Sequence, residues 1–206
     1  MSKQTVYLFD FDGTLTTRDT MLAFIRYTHG TVAFICGFLR HLPMLVKMKI
    51  GIYPNGKAKE RIFSHFYKNV PTETMNRWGS CFAADNRHLV RPKGLRILQE
   101  ARKEGATILI VSASIDLWVR PFFDLLLTKT TEPKVNFHVV CTQAEEKNGR
   151  ITGRFSTPNC HGPEKVRRIE ALLDKRESYH IIAFGDSRGD DEMLKYADEG
   201  HFKPFR

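Results

Sequence analysis

The 206-residue sequence holds few cysteines, and none lies where a staple or a metal knuckle would need it. Cys36, Cys81, Cys141 and Cys160 are widely scattered with no CxxC pair. That spacing speaks against zinc and against a disulfide framework, and it points to a reducing compartment. Internal repeats and low-complexity tracts are also missing. There is no run of five or more like charges, although 32 Lys and Arg against 23 Asp and Glu leave a net charge of +9. Basic residues dispersed in this way read as a solvated face, so no nucleic-acid partner is expected. The start, MSKQTVYLFD, lacks the basic segment and long apolar run of a signal peptide. The most apolar stretch, residues 31–39, is broken by Arg40, His41 and Pro43, too early to span a bilayer.

What is present is an ordinary globular composition: 42% hydrophobic and 27% charged residues, enough to bury a core without staples. Residues 6–10 (VYLFD), 107–112 (TILIVS) and 179–186 (YHIIAFGD) are short apolar runs that end in small or polar residues. Runs of this kind suit parallel strands covered on both faces. Helical patterns at 95–104 and 165–173 lead into the second and third runs, and another at 192–196 follows the third. The alternation predicts an α/β class: a Rossmann-like, doubly wound parallel sheet, with ligands beyond the carboxyl ends of its strands. Residues 1–19 and 92–206 are assigned to this core. Residues 20–91 have helical character throughout and are read as an inserted helical cap. Within it Phe34, Phe38, Leu39 and Leu42 are taken as the cap's own core. Residues 139–155 read as a β-hairpin turning at Asn148-Gly149.

The chemistry begins at DFDGT. Asp10 and Asp12 are two apart, which on an extended strand end turns both side chains one way. Gly13 lets the chain turn sharply and approach a ligand. Two carboxylates at a strand tip repel unless a cation or a shared proton offsets them. A calcium loop fails because glycine comes fourth rather than sixth and no glutamate closes it; a plain polar turn is the remaining alternative for the motif alone. Ser112 ends the second run beside the small Ala113, a hydroxyl and backbone N–H suited to phosphate. Lys165 opens a helix after Gly162 and Pro163, at the end where the helix dipole prefers acids. GDSRGDD sets Asp186, Asp190 and Asp191 around a glycine-rich turn, a hard-cation pattern.

DxDGT, then Ser, then Lys, then GDxxxD, each at a strand tip or helix start, resembles the haloacid dehalogenase-like hydrolase superfamily over the whole chain. The helical insertion and the NGRITGRF hairpin resemble its phosphoserine-phosphatase-like branch. The resemblance implies a Mg²⁺-dependent phosphatase with Asp10 as nucleophile and Asp12 as general acid–base. It implies metal ligation by Asp10, the Asp12 backbone carbonyl and Asp186, with Asp190 orienting the metal shell or Lys165. Ser112, the Ala113 amide and Lys165 would hold the phosphoryl oxygens. A small phosphorylated metabolite such as phosphoserine is the expected substrate, with Asp19 and Arg61 (and Lys57 near it) as substrate contacts. Asp19 stands where phosphoserine phosphatases carry Glu, and Ser-Ala-Ser replaces their Ser-Gly-Gly. A phosphatidylglycerophosphate-type lipid substrate, a phosphotransferase and a phosphate-binding protein without turnover remain alternatives. The expected location is the cytoplasm, with an anionic membrane surface as a second partner through the cap's apolar residues, Arg40, Lys47 and Lys49.

Overall fold

The computed structural model describes residues 3–127 and 136–206; residues 1–2 and 128–135 of the expected core lie outside them. Strand β1 (Gln4–Phe9) is followed by a tight turn over Phe11–Leu15. Five helices come next: α1 (Thr20–Arg40), α2 (Leu42–Lys49), α3 (Asn55–Tyr67), α4 (Thr72–Asp85) and α5 (Pro92–Lys103). The chain returns through β2 (Thr107–Ile115), α6 (Asp116–Leu127), β3 (Phe137–Thr142) and a hairpin of β4 (Ala144–Lys147) and β5 (Arg150–Phe155). It closes with α7 (Pro163–Glu170), β6 (Tyr179–Gly185), α8 (Asp191–Tyr196) and β7 (Glu199–Phe202).

The main sheet is parallel in the order β3-β2-β1-β6-β7. The three apolar runs seen in the sequence are its centre. Side chains alternate between faces. Val6 and Leu8 join Leu109, Val111, Ile181 and Ala183 beneath α7 and α8. Phe9, Ile108, Ile110 and Phe184 enter the larger core on the other face, where the Phe9 and Phe184 rings stack 4.9 Å apart. Phe9 is in register with both Ile110 and Phe184. The carboxyl ends of β1, β2 and β6 therefore form one edge, and Asp10, Ser112 and Asp186 meet there.

Three expectations need correction. Residues 139–142 belong to β3 of the main sheet, so the hairpin is shorter, running from Ala144 to Phe155. Its turn is at Asn148 (φ 52°) and Gly149 (φ 71°), the left-handed pair that a two-residue hairpin needs. Strand β2 does not end at Ser112 but continues to Ile115 with a register irregularity between the two. Finally, Leu39 and Leu42 are not core. Gly30 (φ 78°) breaks α1. Beyond it Phe38 faces inward against Phe66 and Phe34 packs on Phe38, while Leu39 and Leu42 are 61% and 51% exposed.

Candidate active site

A cleft of about 660 Å³ opens at the shared strand edge, between the sheet and helices α1–α3. Asp10, Asp12, Ser112, Ala113, Lys165, Asp186 and Asp190 all line it. Four separate segments supply them, and the register of β1 with its neighbours brings those segments together.

At its floor lies Lys165, fully buried in the first turn of α7. Its ammonium donates to Asp10 Oδ1 at 2.7 Å, to Asp190 Oδ1 at 2.6 Å and to the Val111 carbonyl at 2.7 Å. All three donors of the ammonium are thus used. Burial works against its charge, but Asp10 and Asp190 outweigh burial and hold it protonated. The chain reaches this position through Gly162 (φ 61°), and the tertiary pairing overrides the dipole preference at that helix end.

Asp10 is pushed up to about 7 by burial, against the pull of Lys165. Asp12 is also raised, by burial first and then by Asp19. Its Oδ1 accepts from the Thr20 backbone N–H at 2.7 Å and the Thr20 hydroxyl at 2.6 Å, and its Oδ2 from the Ser114 hydroxyl. The indole of Trp118 donates to Thr20 Oγ1 at 3.2 Å. Ser114, fully buried, escaped the sequence reading; its only signal is the second serine of Ser-Ala-Ser.

Carboxylate oxygens of Asp10, Asp186 and Asp190 lie within 4.8 Å of one another. Three acids around one buried ammonium leave negative charge, and hard oxygen donors fit a divalent cation. Asp190 is largely committed already. Its Oδ1 takes Lys165, and its Oδ2 accepts from the Asp186 and Ser187 amides and the Ser187 hydroxyl. Asp186 is held against Gly13 (φ 81°), where any Cβ would collide with its carboxylate. The Asp186 carboxylate is paired with Arg206. The Asp12 carboxylate stands apart from this cluster, turned toward Thr20 and Ser114, which leaves its backbone carbonyl as the group to consider for the metal.

Ser112 Oγ accepts from the Ser114 amide at 3.0 Å. The Ala113 carbonyl accepts from Thr142 Oγ1 at 2.9 Å and from Lys59 Nζ at 2.8 Å. Lys59 is a second missed residue. It lies on α3, lines the cleft, and has its ammonium lowered by burial. The substrate contacts expected from the sequence, Lys57 and Arg61, lie on the same helix. Both are exposed and face a separate depression with Tyr53, Glu60 and Arg154. At 100° per residue Lys57 and Arg61 share a face and Lys59 points away from it. Asp19 is at the cleft, where it also caps α1 by accepting from the Leu22 amide at 3.1 Å.

Comparison with known proteins fits this arrangement. A family model described as haloacid dehalogenase-like hydrolase matches residues 7–195. Protein CicA of Caulobacter vibrioides is 34% identical over 204 residues, covering 96% of this chain and 85% of the relative. Among solved structures, a protein of unknown function from Bordetella pertussis Tohama I superposes with a TM-score of 0.77 at 19% identity. That match covers 94% of this chain and 87% of the other. A phospho-aspartyl intermediate analogue of phosphoserine phosphatase superposes at 0.62 with 18% identity, over 98% and 86% of the two chains. The two structural likenesses show a shared fold, and the family match spans most of the sequence: this chain belongs to the haloacid dehalogenase-like hydrolases.

Proposed function

We propose that the protein is a Mg²⁺-dependent phosphomonoester hydrolase working through an aspartyl-phosphate on Asp10. The observation that carries this reading is the buried Asp10–Lys165–Asp190 chain, with Asp12 fixed separately by Thr20 and Ser114. Two acids in one turn thereby have different partners and different tasks. Lys165 holds Oδ1 of Asp10 and leaves Oδ2 to attack phosphorus. As the Asp10 oxygen–phosphorus bond forms, the bond to the leaving alcohol breaks, and that oxygen takes the proton of Asp12. Asp12, now a carboxylate, accepts a proton from the incoming water as the water oxygen bonds to phosphorus. The phosphorus–Asp10 bond then breaks, releasing phosphate and restoring both carboxyl groups. The raised affinity of Asp12 for its proton suits the first step.

Asp10, Asp186 and the Asp12 carbonyl are the groups proposed to hold Mg²⁺, with Asp190 orienting Lys165 and the turn amides. When bound, the ion supplies charge neutralisation and alignment for the phosphoryl oxygens. Ser112 Oγ and the Ala113 amide are proposed to bind those oxygens beside Lys165. Residues 20–91 are proposed to act as the cap, with its Lys59, and Asp19 just before it, as contacts to substrate.

A small phosphorylated metabolite with an alcohol leaving group, phosphoserine or a relative, is the proposed substrate class in the cytoplasm. The phosphoserine phosphatase neighbour supports it through fold alone. A lipid phosphate is the second reading, favoured by the apolar wall that Phe38, Leu45 and Met48 give the cleft. The test is phosphate release with Mg²⁺ from a panel containing phosphoserine, other phosphomonoesters and phosphatidylglycerophosphate, using wild type and Asp10→Asn. Turnover that Asp10→Asn and EDTA both abolish is the expected result. No release from any member favours a binding protein, full activity of Asp10→Asn overturns the nucleophile, and transfer to added alcohols would make it a phosphotransferase.

A further inference from the structure

Solvent-facing large apolar side chains are concentrated in one stretch of this chain. Val32, Ile35 and Leu39 point outward from α1 beyond Gly30, and Leu42 and Val46 from α2, all between 49% and 77% exposed. Ile50 and Ile52 follow at 63% and 71%. Positions 32, 35 and 39 share one helix face. The opposite face is filled, since Phe34 and Phe38 pack inward and Gly37 abuts the Phe66 ring. The exposure is therefore a property of a well-packed element, and a concentration of exposed apolar side chains of this kind marks an interaction site.

Charge identifies the partner. Between residues 20 and 59 there is no Asp or Glu, and all 23 acids of the chain lie outside that stretch. The same stretch carries Arg26, Arg40, Lys47, Lys49, Lys57 and Lys59. Arg40, Lys47 and Lys49 are exposed and alternate with the outward apolar residues. An apolar face edged by cations and free of acids matches an anionic bilayer surface.

We propose that α1 beyond Gly30, together with α2 and residues 50–52, docks on anionic lipid bilayers. The apolar face enters the headgroup–acyl boundary, and Arg40, Lys47 and Lys49 meet the headgroups. The element lies in the surface and does not span it. Helix α1 has the length of a spanning helix, with mean hydropathy 1.3, but Gly30 breaks it. Its first half buries Met21, Phe24 and Ile25, with Phe24 stacked 4.9 Å from Trp118. The remaining ten residues reach about 15 Å, half of a hydrocarbon core of about 30 Å. A second copy fits less well, because symmetric pairing sets these cations against their own copies with no acid to offset them. The docking stands whatever reaction the cleft performs.

Flotation of the full chain with vesicles tests this directly. Phosphatidylcholine vesicles containing phosphatidylglycerol should carry the protein at low salt, and pure phosphatidylcholine vesicles far less. Lys47→Ala with Lys49→Ala should lower partitioning about 30-fold, roughly five-fold for each cation removed. Val46→Glu should abolish flotation with an unchanged circular dichroism spectrum. A polarity-sensitive fluorophore on the exposed Cys36, in a Cys81→Ala background, should shift to the blue on anionic vesicles. Equal flotation on both vesicle types, or none on either, overturns the proposal. Concentration-dependent dimers that Val46→Glu dissolves overturn it in favour of self-association.

Discussion

The ammonium of Lys165 sits 2.7 Å from Oδ1 of Asp10 and 2.6 Å from Oδ1 of Asp190, with all three side chains buried. Removing a partner from a buried ionic group strands the remaining charges, a loss of about 3–5 kcal/mol. Lys165→Met is expected to lose stability on that scale, read from urea unfolding in EDTA, and to be inactive. Lys165→Arg should fail as well, because a planar guanidinium cannot reach the Val111 carbonyl and two separate carboxylates at these positions. An active Lys165→Met would detach the lysine from the reaction.

Asp10 gives a pH dependence with a definite sign. Its folded-state pKa is raised from 3.8 to about 7, mainly by burial. The stability linked to its proton is fully present below about 4 and is lost as pH rises through about 7. The size is on the order of 4 kcal/mol at one pKa unit per 1.36 kcal/mol. Metal-free protein should therefore unfold more easily at pH 8 than at pH 5, with Asp12 and Asp186, both raised, acting in the same direction. Asp10→Asn should flatten most of this slope. An identical slope in the variant would mean that another group carries it.

Much of this was legible in the sequence, for identifiable reasons. Strands β1, β2 and β6 announce themselves because central parallel strands are apolar on both faces. Asp10, Ser112 and Asp186 follow from where those runs end, and Lys165 from the helix start after Gly162 and Pro163. The edge strand β7 (EGHF) is exposed throughout, so it carries no apolar pattern to detect. Strand β3 was absorbed into the hairpin because 137–155 is a continuous stretch with strand character on both sides of Gln143. Lys59 and Ser114 were missed because their roles depend on which way an element is turned. Helical period alone does not say which face of α3 meets the cleft. The outward face of α1 and α2 was misjudged for the same reason: an apolar stripe has the same pattern over a core or facing solvent.

Ser114 is expected to act by positioning Asp12. Its hydroxyl donates to Asp12 Oδ2, and that bond pulls the carboxyl back toward ionisation against burial. Ser114→Ala should lower kcat by about 10-fold to 100-fold, the value of a charge-assisted hydrogen bond, with little change in KM. The alkaline limb of the kcat profile should move to higher pH, because Asp12 keeps its proton longer. A purely structural role would lower activity without moving that limb.

Lys59 and Arg61 separate the two faces of α3. Lys59 reaches the Ala113 carbonyl at 2.8 Å and lines the cleft, whereas Arg61 faces the depression shared with Arg154. Lys59→Met removes a cation facing an anionic substrate and should raise KM about 10-fold or more, the worth of a hydrogen bond to a charged group. Arg61→Met should leave KM within about two-fold, as expected for an exposed side chain away from the site. Steady-state kinetics on whichever phosphomonoester the panel identifies decides between them. If Arg61→Met raises KM while Lys59→Met does not, the substrate approaches across the opposite face of α3, and the cleft assignment of the cap contacts is wrong.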